Sequence, residues 1–317
     1  MIRDRSSVAI LLAAYNGERF IEAQIRSILN QSWPHWKLYI RDDGSDDGTP
    51  AIASRFAGEY PDRISLSSSD QLRLGPDGNF SCLMEHVESD YFMFCDQDDV
   101  WLPEKVERSL QCMRALEGLH AATTPLLIHT DARVVDAELN ELSPSAWSYG
   151  YHRPEFSRLL NRLLLQNMVF GCSVLINSAA KELASPVPPG VVQYDWWLAL
   201  VTLCFGSIGY LSEPTLLYRQ HEGNTVGATQ WGAGYILRKA LRFFDREALV
   251  RSLAASRHQA ALLLERYADW LNADQRRAIE AYTALGNQGF IEKRRTILKY
   301  GFLKTGLIRN VGFFLRV

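Results

Sequence analysis

The earliest pattern in the chain is a continuous apolar run, Val8 to Ala14. It is too short for a packed helix and lacks polar alternation, which predicts a strand buried on both faces. Ile21, Ile25, Ile28 and Leu29 then recur at i, i+4, i+7 and i+8, the signature of one helix face. Lys37 to Arg41 reads as a second strand and stops at Asp42-Asp43-Gly44-Ser45, a turn by composition. Asp47 or Thr49 stands where the cap of a helix over about residues 50–58 belongs. The alternation continues with a strand at Ile64–Ser68, a helix at Phe80–Val87 and a strand at Tyr91–Cys95. A further helix runs from Pro103 to about Leu116, and a strand from Leu126 to Val135. This order predicts an α/β fold, a mainly parallel sheet flanked by helices. Ligands bind beyond the carboxyl ends of strands in such sheets. Two acidic clusters, Asp42-Asp43 and Asp96 to Asp99, stand at such ends.

The pattern changes after about residue 225. Strand signals thin out, and Ala240, Phe243, Phe244 and Ala248, then Leu253, Leu262, Leu263 and Tyr267, follow helical periods. The expected organisation is an α/β domain over 1–225, ending near Asn224–Gly227, and a helical region over 226–317. From Lys293 onward the chain carries Lys293, Arg294, Arg295, Lys299, Lys304, Arg309 and Arg316 with no acidic residue, interleaved with apolar side chains. Two readings stand for this tail. One is an ordinary helix with a solvated basic face. The other is a basic amphipathic segment that contacts an anionic membrane or serves a homo-oligomer.

Composition narrows the classes. A formal net charge of -2 gives no global case for nucleic acid. The five cysteines lie far apart without a CxxC pair, which fits reduced thiols in a cytoplasmic protein. No leader pattern precedes Val8, and no apolar stretch reaches the roughly 18 to 20 residues of a membrane span.

Unpaired charge is costly to bury, so the carboxylates at strand ends are not expected to be core residues. Asp43 to Gly48 superficially matches a calcium loop, but Ser54 occupies the position where that loop needs its acidic twelfth residue. Turn formation accounts for Gly44, Ser45 and Gly48. It accounts less well for three carboxylates within four residues at Asp96-Gln97-Asp98-Asp99. A hard divalent cation, Mg²⁺ or Mn²⁺, gathers such groups and leaves part of its shell to substrate phosphates.

Together, Ala13-Ala-Tyr-Asn-Gly17, Ser27-Ile-Leu-Asn-Gln31, Ile40-Arg-Asp-Asp-Gly-Ser-Asp-Asp-Gly-Thr49 and Cys95-Asp-Gln-Asp-Asp-Val-Trp101 resemble the family 2 glycosyltransferases of the GT-A fold. The match runs over roughly residues 8–225. With Gly78-Asn-Phe80 upstream and Tyr218-Arg-Gln-His221 downstream, it is similar to the rhamnosyltransferase-like subgroup of bacterial polysaccharide biosynthesis. The resemblance implies that Ala13, Tyr15 and Asn16 lie beside a nucleotide base, Asp43 accepts a hydrogen bond from that base, and Asp96 lies near the ribose or the metal. It implies a divalent metal on Asp98 and Asp96, with Asp99 behind them. Asp195 in Gln193-Tyr-Asp-Trp-Trp197 fits the catalytic base of an inverting transfer. Locally, the same Asp195 reads equally as a helix N-cap. Tyr194 departs from the acidic or His residue usual before that Asp.

Trp196 and Trp197 are either core aromatics or an acceptor-side sugar wall. Gly171, in Gln166-Asn-Met-Val-Phe-Gly-Cys172, marks a close backbone approach on the acceptor side. Arg219 is a candidate diphosphate contact. His221 is either a surface turn residue beside Gly223 and Asn224, or a diphosphate contact and metal ligand. His129 and Asp131 are read as structural. The resemblance thus implies a nucleotide-diphosphate-sugar donor, foremost dTDP-L-rhamnose. Its acceptor would be a surface glycan such as O-antigen or a lipid-linked oligosaccharide, reached at the cytoplasmic face of the inner membrane. The alternatives are a UDP-hexose or UDP-N-acetylhexosamine donor, a two-carboxylate glycoside hydrolase, and an inactive sugar-nucleotide-binding scaffold. Retention of Asp43, Asp98 and Asp195 argues against the scaffold. Asn16-Gly17-Glu18 in place of a GxGxxG turn excludes a dinucleotide fold.

Overall fold

The computed structural model describes residues 6–67, 73–222 and 246–317. The boundary expected near Asn224–Gly227, the turn at Gly223 and Asn224, and the expected helical face at Ala240, Phe243 and Phe244 lie outside these residues. Nine strands among the described residues form one sheet. They are β1 (Val8–Ala14), β2 (Trp36–Asp42), β3 (Ile64–Leu66), β4 (Tyr91–Asp96), β5 (Val100–Trp101), β6 (Leu126–Val135), β7 (Glu141–Ser143), β8 (Val174–Asn177) and β9 (Ser207–Arg219). The order is β3-β2-β1-β4-β8-β6-β9-β5, with β7 on β6. The first four strands and the β6–β9 pair are parallel, while β8 runs antiparallel to both its neighbours.

Helices cover both faces: α1 (Ile21–Leu29), α2 (Thr49–Glu59), α3 (Gly75–His86), α4 (Lys105–Glu117), α5 (Ala146–Gly150), α6 (Leu160–Leu163), α7 (Ser178–Ala184) and α8 (Tyr194–Phe205). Four more follow: α9 (Arg246–Tyr267), α10 (Ala273–Ala284), α11 (Phe290–Tyr300) and α12 (Leu307–Arg316). No helix among the described residues is long and apolar enough to cross a membrane.

Alternation along β1 divides the core, because successive strand side chains point to opposite faces. Val8, Ile10 and Leu12 pack with Ile21, Ile25 and Ile28 of α1 and with Val106, Leu110 and Met113 of α4. Ala9 and Leu11 belong to the other face, with Trp196 and Trp197 of α8. The helical C-terminal region adds to this second core through Leu263, Tyr267, Ile279, Tyr282, Ile297, Phe302 and Phe313. α8 is apolar almost all round, with Tyr194 through Thr202 buried. A helix of that kind lies inside a protein rather than on it.

Two expected boundaries shift for local reasons. α3 starts at Gly75, not Phe80, because Pro76 sits in its first turn and Asp43 accepts the Leu74 and Gly75 N–H groups at 2.9 and 2.8 Å. α4 starts two residues after Pro103. Phe302 is fully buried against Tyr282, with ring centroids 5.1 Å apart. Phe302→Ala is expected to lower unfolding free energy by about 3–5 kcal/mol. Denaturant melts followed by both tryptophan fluorescence and circular dichroism should shift together, as one transition.

Candidate active site

The register of the sheet brings three strand ends level. Ala13 pairs with Arg41 on one side and with Asp96 on the other. The loops after β1, β2 and β4 therefore emerge side by side. Short hydrogen bonds knit the first two. Asn16, at a positive φ of 48°, donates from its N–H to Ser45 Oγ at 2.8 Å and accepts from the Asp46 N–H at 3.0 Å. Gly17 N–H donates to Thr49 Oγ1 at 2.8 Å, and Asp47 accepts from the Glu18 and Thr49 N–H groups. Asp42 accepts from the Gly44 and Ser45 N–H groups, so its role is to close the turn.

Gln97, the middle residue of the acidic cluster, joins the third loop to the first. Its Oε1 accepts the Tyr15 N–H at 2.8 Å and its Nε2 donates to the Tyr15 carbonyl at 2.7 Å. A Cβ on Gly17 would stand 2.2 Å from Gln97 Oε1, so a side chain there would push the Gln97 amide off Tyr15. Tyr15 is thereby held on the surface at 42% exposure, with the Arg73 guanidinium 5.9 Å from its ring centre. Ala13 lies half-buried beneath. Sequence reasoning missed Gln97. The available signal was an amide placed between aspartates at a strand end.

Asp43 is not an open carboxylate. It is 4% exposed, and its Oδ1 accepts from Arg41 Nη1 at 2.8 Å and from the Leu74 N–H. Its Oδ2 accepts from the Gly75 N–H. Its observed work is to hold residues 73–75 against the loop that follows β2.

The acidic cluster lies one step deeper. Asp98 Oδ2 is 2.8 Å from His221 Nε2, and the His221 ring lies tilted against Phe20, with centroids 4.6 Å apart. Arg219, expected as a diphosphate contact, is only 4% exposed. Its Nε donates to the Asp98 carbonyl at 2.7 Å, its Nη1 to the Ala137 carbonyl at 2.5 Å, and its N–H to Asp99 Oδ1 at 3.1 Å. The guanidinium thus pins the backbone of the acidic turn from beneath.

Asp99 is wholly buried, and its Oδ2 has no hydrogen-bond partner. Burial and the charges of Asp98 and Asp96 push its pKa well above the carboxylate range. Burial, Asp98 and Asp195 push Asp96 up to about 7. Lys105, fully buried, is drawn down to about 8 by desolvation.

Like charges in so small a volume call for protons or a cation. One oxygen or sulfur atom from each of Asp96, Asp99 and Cys172 lies within 4.8 Å of the others. The Cys172 thiol is held protonated by burial and is a soft donor, so it suits a hard cation poorly. Asp96, Asp98 and His221, expected together as metal ligands, are each half-buried; Asp98 and His221 touch, but among the described residues the three do not gather as the Asp96, Asp99 and Cys172 atoms do.

Asp195 sits in the first turn of α8, after the N-cap Gln193, so it is not the cap. Its Oδ1 accepts from Asn167 Nδ2 at 3.0 Å and from the Trp196 N–H at 2.6 Å. Burial raises its pKa to about 7, with Asp77 adding to the rise and hydrogen bonds from Trp196, Gly171 and Asn167 opposing it. Asp77 also accepts the Tyr194 N–H at 2.7 Å, so it binds the helix end that carries Asp195. Neither Asn167 nor Asp77 was singled out from sequence.

Three acceptor-side expectations are corrected. Trp196 and Trp197 are 7% and 0% exposed and donate to the Leu163 and Ala184 carbonyls at 2.6 and 3.0 Å, so both are core residues. The close approach at Gly171 is made by Tyr194, whose hydroxyl would stand 2.0 Å from an added Cβ. His129 and Asp131 are structural, bonded to Ser157 and to Ser145, Ala132 and Trp147.

The profile described as glycosyl transferase family 2 matches residues 9–173. The dTDP-rhamnosyl transferase RfbG of Shigella flexneri is 27% identical over 223 residues, covering 68% of this chain and 74% of that protein. Among solved structures, S. aureus TarS 1-349 in complex with UDP-GlcNAc superposes with a TM-score of 0.59 at 13% identity, covering 92% of this chain and 73% of that one. The mannosyltransferase PcManGT of Pyrobaculum calidifontis, in complex with GDP-Man and Mn²⁺, gives 0.51 at 18% identity over 94% and 79% of the two chains.

Gln97→Ala removes two hydrogen bonds of about 1 kcal/mol each from the Tyr15 backbone. Nucleotide affinity is expected to fall roughly tenfold with the melting temperature little changed, as read by calorimetry and thermal melts.

Proposed function

The chain belongs to glycosyl transferase family 2 and has the GT-A fold of that enzyme class, and we propose that it is an inverting, metal-dependent rhamnosyltransferase. The donor is dTDP-L-rhamnose, and the acceptor is a hydroxyl of a surface glycan or lipid-linked oligosaccharide. The enzyme works as a peripheral protein on the cytoplasmic face of the membrane. The observation that carries the mechanism is the buried Asp195 carboxyl, fixed by Asn167 and sharing its electrostatic field with Asp96. Similarity to a named dTDP-rhamnosyl transferase over two thirds of the chain supports the donor.

The chain's own residues divide the work. Tyr15, held by Gln97, offers a ring to the base. Asp96 and Asp98, with His221, would hold the cation. When bound, that cation supplies positive charge to the departing diphosphate. Asn167 and the Trp196 N–H occupy Asp195 Oδ1. Oδ2 is therefore assigned to the acceptor hydroxyl proton, taken as the hydroxyl oxygen attacks the anomeric carbon opposite the diphosphate. Inversion of a β-linked rhamnose donor gives an α-linked product. A second reading keeps this machinery with a UDP-linked donor, as in the UDP-GlcNAc complex of the TarS neighbour.

Asp195→Asn is expected to retain donor binding and to lower turnover by about 10²- to 10⁴-fold. A base must be ionised to act. With its pKa raised to about 7, kcat/KM should be low at pH 5.5, rise through pH 7 and level above pH 8. Normal turnover by the Asn variant would remove Asp195 as the base. Calorimetric titration of dTDP-L-rhamnose, UDP-glucose and UDP-GlcNAc, with and without Mn²⁺, tests the donor. Metal-dependent preference for dTDP-L-rhamnose is expected. Preference for a UDP sugar would overturn the rhamnose assignment and leave the fold and mechanism standing.

A further inference from the structure

We infer that the outer face of α11 and α12 docks the protein on a lipid bilayer with anionic headgroups, beside the loop that positions the catalytic base. This rests on the peripheral reading above and assigns it a face and a lipid chemistry. α12 turns Phe313 into the core and leaves Leu307, Ile308, Val311 and Leu315 outside, at 80%, 55%, 52% and 64% exposure. At 3.6 residues per turn those four fall within an arc of roughly 100°. On α11, Phe290, Ile291 and Leu298 are 69%, 64% and 65% exposed.

One side chain joins the two helices. Arg294 donates to the Phe290 carbonyl at 3.0 Å and to the Phe314 carbonyl at 2.5 Å. The exposed apolar residues at the start of α11 therefore lie beside the end of α12, as one patch. An apolar surface this contiguous marks a contact face.

Charge selects the occupant. Residues 290–317 carry seven basic side chains against one acidic, the exposed Glu292, and Arg295 and Lys299 stand exposed among the apolar residues of α11. A two-fold pairing of this face with a second copy would set like charges against each other. Anionic headgroups complement it, while the apolar side chains enter the acyl boundary.

The face also has a defined place relative to the chemistry. The connection between α11 and α12 is held by residues 161–166: Asn161 Nδ2 donates to the Tyr300 carbonyl at 3.0 Å, Arg162 to the Leu303 carbonyl at 2.8 Å, and Thr305 N–H to Gln166 Oε1 at 3.2 Å. The next residue, Asn167, holds Asp195. A bilayer under this face brings the lipid surface to the acceptor side, which fits an acceptor carried by that surface.

The test is flotation of the full chain with vesicles of phosphatidylcholine alone and with added phosphatidylglycerol, at low and high salt. Two variants are compared with the native chain: Leu307→Ser/Ile308→Ser/Val311→Ser/Leu315→Ser, and Arg295→Glu/Lys299→Glu. Melting temperature and nucleotide binding serve as controls. The native chain is expected to float with the anionic vesicles only, less so at high salt, and each variant to lose tenfold or more of that partition with both controls unchanged. Variants that float like the native chain would overturn the assigned face and leave the peripheral reading intact. A native chain that does not float removes both. A native dimer in light scattering that the serine variant dissociates, without vesicle binding, would overturn the lipid in favour of a second copy.

Discussion

Three carboxylates within four residues repel one another, and here they do so away from water. Asp96 and Asp99 are each driven toward the protonated form by burial and by their neighbours, and Asp195 adds to the field at Asp96. Much of the surrounding architecture holds this arrangement in place. β4 ends at Asp96, between parallel β1 and antiparallel β8, and fixes the backbone from which the cluster projects. Arg219 clamps the turn from below through the Asp98 carbonyl and the Asp99 carboxylate. Lys105 contributes a buried positive charge from α4, and His221 takes one oxygen of Asp98. Repulsion stored in this way would be relieved by protons or by a divalent cation, which is the physical basis of the proposed metal site.

Much of the frame was legible in sequence, because it depends on short-range patterns. The apolar run at Val8–Ala14 and the strand at Leu126–Val135 fall where expected, and the α1 face is buried at Ile21, Ile25 and Ile28. What escaped depends on contacts between distant segments. The helix expected from Phe80 begins five residues earlier, at Gly75, where Asp43 accepts the Leu74 and Gly75 N–H groups from more than thirty residues away. Trp196 and Trp197 stand beside the base in sequence yet face the core, since α8 is enclosed on nearly every side. Arg219 looks like a free cation for phosphate, but its guanidinium is spent on backbone carbonyls. Gln97 and Asn167 were overlooked for a related reason. Amides carry no charge pattern, and their roles show only when the partner backbone or carboxylate is in view.

The C-terminal helices share a core with the α/β sheet and also reach the chemistry. Phe302 and Phe313 pack into the cluster that holds α8, and the segment between α11 and α12 bonds to the loop that positions Asp195. A change in this region therefore has two routes to Asp195, one through packing and one through the Gln166–Asn167 loop. The left-handed Gly301 and Gly306, at φ values of 67° and 88°, let the chain turn between the two helices.

The central claim is that the acidic cluster is a cation site whose carboxylates exchange protons for metal. Mn²⁺ binding, followed through the loss of the free-ion signal in electron paramagnetic resonance, tests it most directly at pH 6 and pH 8. With the Asp96 pKa raised to about 7, proton competition should weaken binding roughly tenfold at the lower pH, and Asp98→Ala should abolish tight binding at both. Equal affinity at the two pH values, or an Asp98→Ala protein that binds Mn²⁺ as the native one does, would contradict the account.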